Sequence, residues 1–405
     1  MATICICWEY GTGYGHVLRY RELVAKLRGE GHRVVYVARA PQRAAAVFGA
    51  DAPEILAAPL GETPPARRIR LPYTFAEILL NCGFDDGAAL AVRTRAWRDL
   101  LRARAPDAIF SDFSPSALMA GRALGVPTIV CGSGFYSPPL LRPVPPLRYW
   151  LPHDRARQLE AEDRVVANMN EALAGIDAAP LAALADLYAA PQVLMTVPEF
   201  DPYPERPGVL HAGTYADAAF GAAPRWPAGA GPAVFAYLEP GILLDEILAG
   251  LSGIGARVCL FSPGLDRGAL GARSRLPALE LMSEPVDVPR AAAESALMIT
   301  NANLNTLVSG LKAGTPQLAV PYNLEKFLTA RRLEEYGAGL AAPRLAPGDI
   351  PGKIAALLAA PAFREAAGRF AAKYAAQAGT ETLHAMYDSF RRCLEPRAAR
   401  IGEGH

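Results

Sequence analysis

The sequence predicts an α/β chain built as two halves of similar size, each a parallel sheet flanked by helices. Three observations predict it. Short apolar, β-prone runs alternate with stretches of helical periodicity along nearly the whole chain. The strands read as continuous apolar runs, the pattern of sheets buried on both faces. A turn-rich stretch at 198–232, containing Asp201-Pro202-Tyr203-Pro204 and Pro207-Gly208, interrupts the alternation near its middle. We expect one domain over 1–208, a second over 209–375, and a helical tail over 376–405 able to cross back to the first.

The first half opens on Thr3-Ile4-Cys5-Ile6-Cys7-Trp8, a buried parallel strand. The glycine turn Gly11-Thr12-Gly13-Tyr14-Gly15-His16 follows, then a helix over 17–28 and a strand over 32–38. Strand, turn, helix, strand implies a right-handed crossover. A strand over 107–112 with a polar end, a helix over 116–124 and a strand over 127–131 repeat the pattern. Residues 138–152 are too rich in proline for a helix or a central strand, and 155–174 reads as a long helix. In the second half, strands at 233–238, 256–261, 296–300 and 317–320 alternate with helices at 243–251 and 305–313. The tail from Ile350 is helical and rich in alanine.

Composition excludes several classes. With 41 Lys+Arg against 40 Asp+Glu, the formal charge is +1, which removes the basic excess of a protein held to nucleic acid by charge. A hydrophobic share of 51% argues against disorder. No run approaches the roughly 20 apolar residues of a membrane span, and Met1 to Trp8 lacks the basic start of a secretory signal. The six cysteines show no Cys-x-x-Cys spacing, so we expect reduced thiols in a cytoplasmic protein. There is no Asp-x-Asp, no metal-spaced His/Cys/Asp cluster and no Gly-x-Ser-x-Gly, so no metal is expected and a serine hydrolase is disfavoured.

Ligands of open α/β sheets bind beyond the carboxyl ends of the strands, where the turn Gly11 to His16 sits. Its spacing is not Gly-x-Gly-x-x-Gly, and Val37-Ala38-Arg39 offers no acidic residue after the second strand, so a dinucleotide site is disfavoured here. His16 stands at a helix start, where the dipole favours the neutral imidazole a base requires. A capping or surface histidine is the plain alternative. Asp112 also ends a strand and could orient His16 and stabilise its imidazolium. Its plain alternative is capping the following helix.

The densest pattern lies in the second half: Asn301-Ala302-Asn303-Leu304-Asn305-Thr306, then Gly314-Thr315-Pro316, then Pro321-Tyr322-Asn323-Leu324-Glu325-Lys326. Asn305 and Thr306 fall at a helix N-terminus, whose free N–H groups suit a phosphate. Helix capping by Asn303 or Asn305 accounts for one of these residues but not for the order of features.

On these motifs, together with Gly31-His32 and Gly125-Val126-Pro127, the chain resembles GT-B nucleotide-sugar-dependent glycosyltransferases over nearly its full length. That superfamily includes UDP-glycosyltransferases, macrolide glycosyltransferases and MurG-like enzymes. The resemblance implies two Rossmann-like domains facing each other across a cleft and inverting transfer of a sugar to a hydroxyl of a small molecule, lipid or glycan. It implies His16 as the base and Asp112 as its support. Asn305 and Thr306 would take donor phosphate, and Glu325 the sugar hydroxyls. Glu239, Gly241, Val286, Asn301, Asn303 and Lys326 fall on the donor side. Gly13, Tyr14, Phe135 and Tyr136 fall on the acceptor side. The resemblance implies a nucleotide-sugar co-substrate, UDP or dTDP, with no further cofactor, and we expect a monomer or dimer.

The departures cluster at the donor. Asn301 replaces a phosphate-binding histidine, Asn303 a glycine, Ser309 a ribose-binding glutamate and Lys326 a glutamine. Glu239 occupies a Gly-Ser loop, where a carboxylate facing a diphosphate would cost about 1–4 kcal/mol at ~4 Å. These departures leave open a non-catalytic homologue acting as a binding or partner protein, and a nucleotide-sugar hydrolase or epimerase. The 138–152 stretch, with Arg142, Arg148, Tyr149 and Trp150, reads equally as an acceptor-covering loop, a peripheral membrane contact or an ordinary surface loop packed by Trp150. Arg67-Arg68-Ile69-Arg70 reads as a solvated patch.

Overall fold

The computed structural model describes residues 1–11, 13–61, 68–215, 221–271, 276–377 and 379–395. Two compact units result. The first comprises Met1–Val197, Tyr203–Tyr215 and the chain from Thr380; the second comprises Pro198–Pro202 and Ala216–Gly379. The division thus falls after Tyr215 and Gly379 rather than after 208 and 375. Pro198–Pro202 joins the second unit because Glu199 is anchored there. Its carboxylate accepts from Tyr374 Oη at 2.6 Å and pairs with Lys373, and its carbonyl accepts from Arg332 Nε at 2.9 Å.

The first unit is a seven-stranded parallel sheet: β1 (Thr3–Trp8), β2 (Arg33–Ala38), β3 (Glu54–Ala57), β4 (Ala108–Asp112), β5 (Thr128–Gly132), β6 (Gln192–Leu194) and β7 (Leu210–His211). The spatial order is β3-β2-β1-β4-β5-β6-β7. The order reverses between β1 and β4, the switch point where such sheets bind ligands. Trp8 lies opposite Asp112, so both strands end level there. Alternation along β1 sends Ile4, Ile6 and Trp8 into one core and Cys5 and Cys7 into the other. The helix Glu381–Leu394 closes the first core with Met386 and Phe390. Helix Gly87–Arg104 closes the second with Trp97 and Leu101.

The second unit repeats the plan with six parallel strands: β8 (Ala233–Tyr237), β9 (Arg257–Phe261), β10 (Leu279–Met282), β11 (Leu297–Thr300), β12 (Gln317–Ala319) and β13 (Gly339–Ala341), ordered β10-β9-β8-β11-β12-β13. Tyr237 lies opposite Thr300, which again levels the ends at the switch point.

Two local findings bear on the site. The helix expected over 17–28 is two, Gly15–Leu18 and Arg21–Gly29. Arg19 Nε donates to the Gly15 carbonyl at 2.7 Å and Tyr20 N bonds Val17 O, a tightened turn that breaks the run. Residues 138–152 form neither helix nor strand, as their prolines require. Among the described residues no helix is long and apolar enough to cross a membrane.

Phe235, fully buried on β8, has no room to be lost cheaply. Phe235→Ala is expected to destabilise the second unit by about 3–5 kcal/mol. Val92→Ser, at an exposed helix position, should stay within about 0.5 kcal/mol. Denaturant unfolding followed by tryptophan fluorescence measures both.

Candidate active site

In the first unit the site is built around a buried carboxylate. Asp112 is fully buried at the end of β4, and its Oδ1 lies 3.0 Å from His16 Nδ1. His16 is 7% exposed, in the short helix after the glycine turn. It is therefore not a surface histidine. Asp112 does not cap the following helix either; Ser114 occupies that position without a side-chain bond. An Nδ1–H donated to Asp112 leaves Nε2 with the lone pair, the tautomer a base needs. The imidazole stacks on Trp8 at 5.1 Å and 12°, and Tyr136 tilts over it at 5.8 Å. Tyr36 Oη donates to the His16 carbonyl at 2.7 Å.

Gly11 explains one glycine of the turn. Its φ is +86°, and a Cβ there would come within 2.3 Å of His16 Nε2. Glycine is thus required both for the backbone conformation and to leave Nε2 uncovered. Gly13 also has a positive φ with open space beside it, and Tyr14 is half exposed. Phe135 and Tyr136 are buried, with Tyr136 stacked on Phe113 at 4.7 Å. Thr12 lies outside the described residues.

Three neighbours escaped the sequence reading. Arg19 places Nε 3.7 Å from Asp112 Oδ2 and donates from Nη1 to Tyr136 Oη at 2.8 Å. Its signal was present: position i+3 from His16 faces the same side of a helix. Glu9, immediately after β1, is fully buried and accepts from Ser116 N at 2.9 Å. Arg93 Nε lies 3.2 Å from Glu9 Oε1, an ion pair too poorly aligned to be a hydrogen bond. Burial pushes the Glu9 carboxyl up, while Arg93 and Ser116 pull it down. Arg93 had no signal without its helix, Gly87–Arg104, which the sequence reading did not anticipate.

In the second unit, the polar residues expected at the donor take different roles. Asn301 is 2% exposed, and its carboxamide is committed internally. Its Oδ1 accepts from Glu239 N at 2.6 Å and its Nδ2 donates to Val320 O at 2.8 Å. It ties together the loops after β8 and β12. Asn303 occupies the N-cap of helix Leu304–Lys312 without a side-chain capping bond, and Asn305 and Thr306 sit in the first turn, half-buried. Gly241 has φ +78° with open space around it. Val286 is buried in the core, and its bridge to Ala222 runs through Pro285 O and Asp287 N, directing its own amide away from Ala222.

Lys326 is 9% exposed, in the first turn of helix Leu324–Tyr336, whose N-cap Asn323 accepts from Lys326 N at 3.0 Å. The Lys326 ammonium lies 4.2 Å from the centre of the Tyr322 ring. Burial lowers its pKa to about 8, opposed by the charges of Glu325 and Glu239. Burial and the same two carboxylates push the Tyr322 hydroxyl up. Glu239, Glu325 and Lys326 thus form one electrostatic cluster with a net carboxylate excess.

No protein-family model matches the chain. It is 32% identical over 168 residues to zeaxanthin glucosyltransferase of Pseudescherichia vulneris, a match covering 40% of this chain and 36% of that protein. The chain therefore spans just over a third of that relative's length. Among solved structures, the glycosyltransferase VinC in complex with dTDP matches 96% of the chain and 100% of its own, with a TM-score of 0.67 at 16% identity. The calicheamicin glycosyltransferase CalG4 matches 98% and 99%, with a TM-score of 0.67 at 18% identity. The two parallel sheets and these full-length likenesses show a GT-B fold.

Proposed function

We propose that the chain is an inverting glycosyltransferase that moves a sugar from a nucleoside diphosphate, UDP or dTDP, to an acceptor hydroxyl. The observation that carries this reading is the buried Asp112–His16 contact with Nε2 left open by Gly11. His16 Nε2 removes the acceptor proton as the oxygen forms a bond to the anomeric carbon. The bond from that carbon to the diphosphate oxygen breaks on the opposite face, and its electron pair leaves with the diphosphate. Asp112, in contact with Nδ1, orients the ring and balances the imidazolium. The N–H groups of the first turn of helix Leu304–Lys312, beside Asn303, Asn305 and Thr306, receive the phosphate charge. Glu325 and Lys326 hold the sugar. Asn301 shapes the loop carrying Glu239 instead of meeting the diphosphate with its side chain.

The GT-B fold and the glucosyltransferase relative support this reading, and the dTDP bound by VinC supports the donor class. Transfer assayed with a panel of nucleotide sugars and acceptors tests it. His16→Ala should lower kcat by about 10²–10⁴-fold, and Asp112→Asn should also lower it strongly through the wrong tautomer. Transfer by His16→Ala at the wild-type rate would remove it as the base.

Gly11→Ala should lower the melting temperature, because alanine is strained at φ +86°, and, assayed well below that temperature, should cut transfer at least about tenfold, because the added Cβ occupies the approach to Nε2. Circular dichroism melting and a rate assay separate the two effects.

Lys326 loses its proton near pH 8. Below that pH the ammonium is present to meet the donor. Above it the charge is lost, so KM for the nucleotide sugar should rise between pH 7 and 9 (about one unit either side of the midpoint). In Lys326→Gln this pH dependence should disappear, which donor titrations across that range will show.

A further inference from the structure

Arg68 and Arg70 stand exposed at the surface, and Arg67 lies outside the described residues. Arg19 is placed differently: its side chain is 11% exposed, inside the half-site that holds His16. Its Nε donates to the carbonyl of Gly15, the residue before His16, at 2.7 Å and lies 3.7 Å from Asp112 Oδ2. Its Nη1 donates to Tyr136 Oη at 2.8 Å. Burial pulls the Arg19 pKa down, but Asp112 and the nearby tyrosine hydroxyls raise it further than burial lowers it, so the guanidinium keeps its charge.

The geometry of Asp112 calls for such a neighbour. Its Oδ1 meets His16 Nδ1, while Oδ2 finds no hydrogen-bond donor among the described residues. A carboxylate gripped at one oxygen turns easily, because its terminal torsion is broad, and the imidazole it holds turns with it. A cation beside Oδ2 fixes the plane of the group. The contact acts through charge alone, since the Nε proton goes to Gly15 O.

The second arm of the guanidinium returns to Asp112 by another route. Tyr136 stacks on Phe113 at 4.7 Å and 4°, and Phe113 directly follows Asp112. Phe113 has φ +45°, a left-handed conformation that a bulky residue keeps only where its surroundings hold it. Tyr10 N donates to the Phe113 carbonyl at 3.0 Å. Gly132, at the end of β5, admits the Tyr136 ring, because a Cβ there would fall 2.3 Å from a ring carbon. One guanidinium thus restrains Asp112 through its carboxylate and through its backbone neighbour. We propose that Arg19 is a positioning residue for the base: it fixes the Asp112 carboxylate, and through it the His16 ring, without touching the reacting atoms. The proposal rests on the reading of His16 as the base.

Two measurements test it, one of them without substrate. Arg19→Met keeps the stem and removes the cation. In protein carrying isotope-labelled histidine, proton NMR locates the His16 Nδ1–H, identified by its loss in His16→Gln. In Arg19→Met that resonance should shift or be lost to exchange with water; in Arg19→Lys, which keeps a cation, it should persist. Assayed well below its melting temperature, Arg19→Met should lower kcat about 10–100-fold with KM for the nucleotide sugar within about twofold, and Arg19→Lys should recover part of the rate. A residue that only supports the fold would lower the melting temperature and leave both readings unchanged. Should Arg19→Met fail to fold, Tyr136→Phe carries the test, since it removes only the hydroxyl that anchors Nη1 and should move the resonance and lower kcat. An unmoved resonance or a wild-type kcat in Arg19→Met, or in Tyr136→Phe where it takes over, would overturn the proposal. Absence of transfer by the wild-type chain would instead count against the glycosyltransferase reading, and the NMR comparison would still decide the role of Arg19.

Discussion

The candidate site of the first unit is arranged around one carboxylate placed where water does not reach. Asp112 ends β4 with no exposed surface. A buried carboxylate without partners is strongly disfavoured, so the surroundings must supply them. His16 supplies a hydrogen bond to one oxygen and Arg19 a cation 3.7 Å from the other. The level ends of β1 and β4 make this meeting possible, because the parallel register sets Trp8 opposite Asp112 and brings the turn after β1 over it. Trp8 then becomes the floor of the imidazole and Gly11 its opening.

The second unit solves a different problem with neutral groups. At its switch point Asn301 uses both ends of its carboxamide to join the loops after β8 and β12. A neutral amide does this without importing charge, and the charge enters instead through Glu239, Glu325 and Lys326. Lys326 is held where burial weakens its proton affinity while two carboxylates restore part of it. Such a cluster is sensitive to whatever ligand it meets, and a diphosphate would favour its protonated form.

Much of this was legible in the sequence where local signals were strong. β1 spans the residues its apolar run marks, and helix Arg155–Ala174 matches its predicted span. His16 and Asp112 could be paired before the structure because the turn leading to His16 follows one strand and Asp112 ends another, at the binding edge of one sheet. Helix Gly87–Arg104 was not foreseen, since its apolar positions are interleaved with arginines and its start depends on Asp86 accepting from Ala89 N. The short strands β6, β7 and β13 carry too few residues for periodicity to register; their pairing is set by neighbours. The commitment of Asn301 was equally hidden, because an asparagine beside a helix start reads the same whether its amide faces a ligand or a loop. The pairing of Glu9 with Arg93 joins positions far apart in sequence and has no local trace.

The central claim is that an Asp112-oriented His16 activates an acceptor hydroxyl for a single displacement at the anomeric carbon. The anomeric configuration of the first-formed product, read by proton NMR during transfer from an α-linked nucleotide sugar, tests it most directly. The account predicts the β-linked product, with the configuration inverted. An α-linked first product would require a double displacement or a front-face mechanism and would contradict the account.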